Sequence, residues 1–193
     1  MKNLSIKGLT LIKENENLEI VFNNICKMIP ASIFTKTDYN FFYNLVQNEI
    51  VDVFTIKKQK KIASIITVVD FKNYSKLKRE LYFYFLKNPF KILTNFTYLV
   101  KSFLKGSNSN FKSDYLHLLH LVIYKKYFKK FTLRTKDNIF NVFFKKILNV
   151  FNAKIFFLCY EKENSKANNF YMRNKFKVYD RKSNIIFVKK KIG

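Results

Sequence analysis

The segment Ile155–Phe176, IFFLCYEKENSKANNFYMRNKF, leaves few folds open to this chain. Ile155 to Tyr160 is an unbroken run of apolar and aromatic residues, which fits a strand covered on both faces. Glu161 to Glu163 end it. Asn164 is placed to cap a helix, because its short side chain can accept a free first-turn amide. Ala167, Phe170 and Tyr171 follow at spacings that share one helical face, and Phe176 drops back into the core.

The remaining pattern alternates strands and helices. Residues 4–12 predict a first strand. The acidic stretch Glu14–Glu19 suits the start of a helix, with Ile20, Val21, Ile25 and Met28 as its apolar positions and a stop near Pro30. A second helix starts after Thr35 or Thr37 and buries Phe41, Phe42, Leu45 and Val46. Residues 51–57 and 62–69 predict a hairpin around a polar KKQKK turn that has no glycine. Residues 72–105 predict a helical insertion broken at Pro89. Its second half carries an apolar stripe of Leu93, Phe96, Leu99, Val100 and Phe103, edged by Lys91, Lys101 and Lys105. Two readings stay open for it: a helical pair packed on the domain, or a basic and aromatic surface over 81–105 that acts as a lid or contacts a membrane. After the loop Gly106–Asn110, Asp114–Ile123 reads as a central strand because it is nearly all apolar. A helix over 136–151 buries Ile139, Phe140, Phe143, Phe144, Ile147 and Leu148, and strands over 176–180 and 184–188 complete the order.

This order, and the opening segment above all, resembles the GNAT (Gcn5-related N-acetyltransferase) superfamily. There a strand leads to an Asn, an Ala three residues on, a Phe-Tyr pair and a Gly-Phe; Asn164, Ala167, Phe170, Tyr171 and Phe176 match, and Lys175 stands at the Gly. An ordinary βαβ fragment of another α/β domain is the alternative. The phrase Ile29-Pro30-Ala31-Ser32-Ile33-Phe34, with Phe41-Phe42-Tyr43, is similar to a subgroup from bacterial polysaccharide and amino-sugar gene clusters, which has a helical insertion at the same place. The resemblance implies a single α/β domain over 1–193. Its sheet would be mixed, mostly antiparallel and twisted, flanked by helices, with the 72–105 insertion before the central strand.

The same resemblance implies an acetyl-CoA-dependent N-acyltransferase acting on a primary amine of a small molecule or amino sugar. Tyr171 matches the family's proton donor to the leaving thiolate, although a buried structural tyrosine fits equally. Asn164 matches a cofactor contact as well as a plain cap. Leu121 and Ile123, on the central strand, would face the pantetheine arm. The phosphate loop falls on 124–134, but Phe128, Phe131 and Leu133 occupy its three signature positions where Arg or Gln and small residues are expected. Glycine serves there by letting backbone amides approach a pyrophosphate at a helix N-terminus. Lys129, Lys130 and Arg134 offer side-chain charge instead. Asp114, His117 and His120 are the base candidates, and strand alternation predicts opposite faces for the two histidines. No metal-ligand spacing occurs. A GNAT-like protein without cofactor binding, acting as an interaction or membrane-surface module, is the second functional reading.

Composition narrows the partners. The formal net charge is +24, yet only four of 37 basic residues are arginine, and the lysines are scattered. With Asn, Ile, Phe and Tyr also frequent, this reads as codon bias rather than a nucleic-acid footprint, so no specific nucleic acid is expected. Cys26 and Cys159 read as reduced thiols, and the absence of a leader or long apolar run leads us to expect a cytoplasmic protein. With 3 Gly in 193 residues, glycine-dependent loops should be rare.

Overall fold

The computed structural model describes residues 4–30, 32–91, 114–182 and 185–191. Eight strands form one sheet: β1 (Leu4–Ile6), β2 (Leu9–Lys13), β3 (Asp52–Lys58), β4 (Lys61–Asp70), β5 (Tyr115–Ile123), β6 (Ile155–Glu161), β7 (Lys177–Lys182) and β8 (Ile185–Lys191). Their order is β1-β2-β3-β4-β5-β6-β8-β7. All neighbours are antiparallel except β5 and β6. A parallel pair needs a crossover, and here the crossover is helical. The mixed, mostly antiparallel sheet expected from the sequence is the one observed.

Helices α1 (Leu18–Met28), α2 (Tyr39–Gln47) and α3 (Phe71–Leu86), with the 3-10 turn Ile33–Lys36, cover one face. Helices α4 (Lys125–Phe128), α5 (Leu133–Val150) and α6 (Ser165–Arg173) follow β5 and β6, and α5 and α6 cover the other face. The apolar stripe of α5 is buried as its spacing requires, from Ile139 to Leu148. Phe144 packs edge-on to Phe156 at 5.1 Å and to Phe176 at 6.1 Å. Fully burying one such ring contributes at most roughly 2–3 kcal/mol, so an aromatic core of this kind holds the two layers together.

Several boundaries differ from the sequence-based expectation, each for a local reason. The strand expected over 4–12 is a hairpin, because Lys7 (φ 51°) and Gly8 (φ 74°) make a two-residue left-handed turn. In α1 the buried residues are Leu18, Val21, Phe22 and Ile25, while Ile20 and Met28 are exposed. Helix α5 starts at Leu133 rather than 136, since Thr132 caps it by accepting the Thr135 amide. The insertion is helical over α3, whose far end is tied to the domain where the Tyr84 hydroxyl donates to Asp38 at 2.6 Å. The Leu93–Phe103 stripe and the Gly106–Asn110 loop lie outside the described residues. Among the described residues no helix is long and apolar enough to cross a membrane.

Left-handed positions are not few. Lys7, Glu49, Gln59, Lys60, Asn152 and Lys175 all have positive φ. Three of them end helices. After α6, the Phe176 amide donates to Tyr171 O and the Lys175 amide to Met172 O, both at 3.0 Å. The rings of Tyr171 and Phe176 then meet at 5.1 Å. This is a Schellman end with its hydrophobic clasp. It explains both why Phe176 returns to the core and why glycine suits position 175. Replacing Lys175 with Gly is expected to raise unfolding stability by about 1 kcal/mol, since the left-handed penalty exceeds the entropy glycine adds to the unfolded chain. Urea denaturation of the two proteins checks this, and an unchanged or lower midpoint would contradict it.

Candidate active site

The ladder between β5 and β6 is short. Tyr115 pairs with Ile155, Leu116 with Phe156 and His117 with Phe157, and there it stops. β5 nevertheless runs on to Ile123, still paired with β4, and β6 runs on to Glu161, still paired with β8. The two strands therefore part at their C-terminal halves and leave a gap inside the sheet. Beyond His117 the edge of β5 has no ladder partner among the described residues. Buried backbone N–H and C=O groups require partners, and an extended ligand carrying amides can supply them as an added strand does.

The rim on the β5 side is the segment after Ile123. Phe128 is buried and stacks on Phe140 of α5 at 5.4 Å. Phe131 meets Phe128 edge-on at 6.4 Å and packs at the margin of the same core, with the Lys58 ammonium 5.6 Å from its ring. Phe128, at the Arg or Gln position, and Phe131, at the first glycine-type position, are thus absorbed between sheet and helix. Leu133 is different: it sits 58% exposed in the first turn of α5. Lys129, Lys130 and Arg134 are exposed around that same helix start, where the dipole already favours an anion. Leu121 and Ile123 sit partly buried on the α5 face of β5, against the core.

The rim on the β6 side is α6. Asn164 caps it, its Oδ1 accepting the Ala167 amide at 3.0 Å. Tyr171 is buried in an aromatic box, stacked on Tyr160 at 5.5 Å and edge-on to Phe170 at 5.3 Å. Burial, then Cys159 and Tyr160, push its hydroxyl well above the usual tyrosine range. The Tyr160 hydroxyl is occupied, donating to Asn168 at 2.8 Å.

The base candidates separate. Asp114 lies before β5, at the paired end, where its carbonyl accepts the Lys154 and Ile155 amides. Opposite faces for His117 and His120 is an expectation the structure corrects. The register slips between Thr67 and Val68, so Val68 faces Leu118 and Thr67 faces His120. Leu119 is the extra residue of this bulge, and it returns both histidines to the α1–α2 face. The Ser32 hydroxyl accepts the Phe34 amide at 3.1 Å and is hydrogen-bonded to His120 Nε2 at 2.6 Å. His120 Nδ1 is hydrogen-bonded to the Thr67 hydroxyl at 2.7 Å, so both ring nitrogens are engaged, one donating and one accepting in the neutral ring. His120 is therefore a clamp between the 3-10 turn and the sheet. Sequence reading found the histidine but not its partners, because Ser32 and Thr67 are distant in the chain.

No protein-family model matches the chain, and no curated protein sequence matches it. Solved structures do. The N-acetyltransferase PseH of Campylobacter jejuni superposes with a TM-score of 0.54 at 16% identity, covering 96% of this chain and 99% of its own. The fold is the GNAT acetyltransferase fold. The PaiA N-acetyltransferase of Thermoplasma acidophilum, solved with coenzyme A, has a TM-score of 0.55 at 14% identity, over 95% and 99% of the two chains. The spermidine N-acetyltransferase of Vibrio cholerae, solved with CoA and spermine, has a TM-score of 0.56 at 11% identity, over 96% of each.

Burial, and secondarily His117, hold His120 at about 3, whereas an unfolded histidine titrates near 6.5. Its native pKa is depressed, so its contribution is complete above pH 6.5 and lost as pH falls toward 3. Below pH 6.5 the unfolded chain binds a proton that the native site refuses. Stability should fall by about 1.4 kcal/mol per pH unit from this one group. In His120→Gln that share of the acid slope should vanish, which urea midpoints between pH 4 and 7 will show. An equal slope in the variant would remove His120 from this role.

Proposed function

We propose that this chain is an acetyl-CoA-dependent N-acetyltransferase acting on a primary amine of a small molecule. The observation that carries the reading is the gap between β5 and β6, with the start of α5 at one rim and Tyr171 at the other. Solved relatives of this fold hold acetyl coenzyme A or coenzyme A, and three features here fit such a molecule. The unpaired edge of β5 suits the amides of a pantetheine arm. Lys129, Lys130 and Arg134 gather at a helix N-terminus where phosphates are favoured. Of the two bulky residues at the glycine-type positions, Phe131 is withdrawn against the core, and only Leu133 stands exposed at the rim.

Acetyl-CoA supplies an activated acyl thioester. The protein has three tasks: to bring the amine to it, to exclude water, and to deliver a proton to the departing sulfur. Tyr171 suits the last task. Its raised pKa keeps the hydroxyl protonated across the physiological range, and burial keeps it from water. Asn164 has its oxygen committed to the cap, which leaves its amide NH₂ for a ligand. His120 holds Ser32 and the 3-10 turn against β5 and acts as a positioning residue, so we assign the amine no protein base among Asp114 and the histidines. The amine class follows the relatives, one of which is a spermidine acetyltransferase. An amino sugar is the finer alternative that the Pro30–Phe34 phrase favours.

Titration calorimetry with acetyl-CoA tests the binding half, and saturable binding below millimolar is expected. Its absence would favour the cofactor-free interaction module, for which the exposed Leu133 at the phosphate rim is the one specific observation. Tyr171→Phe is expected to leave acetyl-CoA affinity within about threefold while lowering turnover of a polyamine or amino-sugar acceptor by about 10²-fold or more, as loss of a general acid does. Unchanged turnover would end the acid role.

A further inference from the structure

Beside the start of α1 lies an open cleft of about 350 Å³. It is walled by the start of α1, the β3–β4 turn and the residues after β5. Lysine makes up about one residue in six of the chain, but four of the ten residues around this cleft: Lys57, Lys60, Lys61 and Lys126. Among the described residues no carboxylate lines it. Lys60, Lys61 and Lys126 make no ion pair among the described residues. Like charges gathered in one concavity repel, and an anion relieves that repulsion.

The lysines are not merely scattered over a basic surface. Glu14 is only 2% exposed, and it fixes two of the groups that line the cleft. Its carboxylate is 2.7 Å from the Lys57 ammonium and accepts from the Asn17 side chain at 3.0 Å and the Asn17 amide at 3.2 Å. The Thr55 hydroxyl also donates to it, at 3.0 Å. Burial alone would raise this carboxyl; Lys57, Asn17 and Thr55 hold it at about 2. The opposite wall is pinned too, since the Tyr124 hydroxyl donates to Asn24 of α1. At the mouth, Gln59 (φ 48°) and Lys60 (φ 65°) are held left-handed in a two-residue turn that glycine or asparagine normally fills. The chain keeps lysine at this strained position, beside Lys61.

We propose that this cleft binds a small ligand carrying two or more phosphate charges, held by Lys57, Lys60, Lys61 and Lys126. The site stands independently of the acyl-transfer reading. Phosphate charge of this kind has two sources: coenzyme A itself, because Lys126 belongs to the same segment as Lys129 and Lys130, or a separate phosphorylated small molecule.

The probe is inorganic pyrophosphate, titrated into the full chain at fixed ionic strength. Saturable one-to-one binding is expected. The triple variant K60A/K61A/K126A should bind at least tenfold more weakly. The control K72A/K76A/K177A removes the same charge elsewhere and should stay within twofold. Absence of saturable binding to the native chain, or equal weakening in both variants, overturns the proposal. All six lysines are exposed, and matched melting temperatures establish that both variants fold. Coenzyme A and dephospho-coenzyme A then identify the source. Coenzyme A that displaces pyrophosphate and weakens in the cleft variant names the cofactor, through its diphosphate if dephospho-coenzyme A weakens equally and through its 3′-phosphate if dephospho-coenzyme A weakens less. Coenzyme A that binds alongside pyrophosphate, or not at all, names a separate ligand. In the last case the acyl-transfer reading fails while the cleft stands.

Discussion

The structure depends on a hydrogen-bond ladder that stops after three residue pairs. A parallel β5–β6 pair running the full length of both strands would make an ordinary closed sheet with no internal opening. Stopping it at His117 and Phe157 leaves backbone groups of β5 without a strand neighbour among the described residues, an arrangement a chain keeps only where something else satisfies them. The cost is contained because each strand remains paired on its outer side, to β4 and to β8. The aromatic core beneath, from Phe128 through Phe144 to Phe176, holds the halves of the sheet to the same two helices. The opening is therefore a fixed feature of a well-packed body rather than a weakness in it.

Two buried polar clamps set the geometry on the opposite face. Glu14 ties the entry to α1 to the β3 strand, and His120 ties the turn before α2 to β4 and β5. Both have their hydrogen-bonding capacity engaged, which is what makes burial tolerable. They shift for different reasons: the carboxyl stays ionised because its donors outweigh burial, and the imidazole stays neutral because burial, and secondarily His117, disfavour its charged form. One clamp fixes the floor of a basic cleft, the other a wall beside the gap. These two buried polar groups thus place surfaces.

Much of this was legible in the chain. The run Ile155–Tyr160 and the helical spacing of Ala167, Phe170 and Tyr171 required a buried strand and a packed helix, and both exist because hydrophobic periodicity acts locally. Asn164 caps its helix for the reason its chemistry gives. The apolar stripe of α5 was readable in full. Less visible were features set by single residues out of pattern. Leu119 bulges, and the parity argument for His117 and His120 inverts. Lys7 and Gly8 fold an expected strand into a hairpin. Glycine scarcity did not remove left-handed positions, because Schellman ends and tight turns are imposed by the packing that follows them, and Glu49, Asn152 and Lys175 comply.

By itself, the sequence determined the layers, the element order and most of the residues that face inward, because these follow from the period of apolar side chains and from local capping. Only the tertiary structure decided where β5 and β6 part, which hydroxyls close on His120, whether Phe128 and Phe131 block the phosphate rim or withdraw from it, and that four lysines from separate elements share one cleft. Each of these is a relation between residues far apart in the chain. Nothing in local propensity encodes such a relation; it exists only once the long-range packing has brought the partners together.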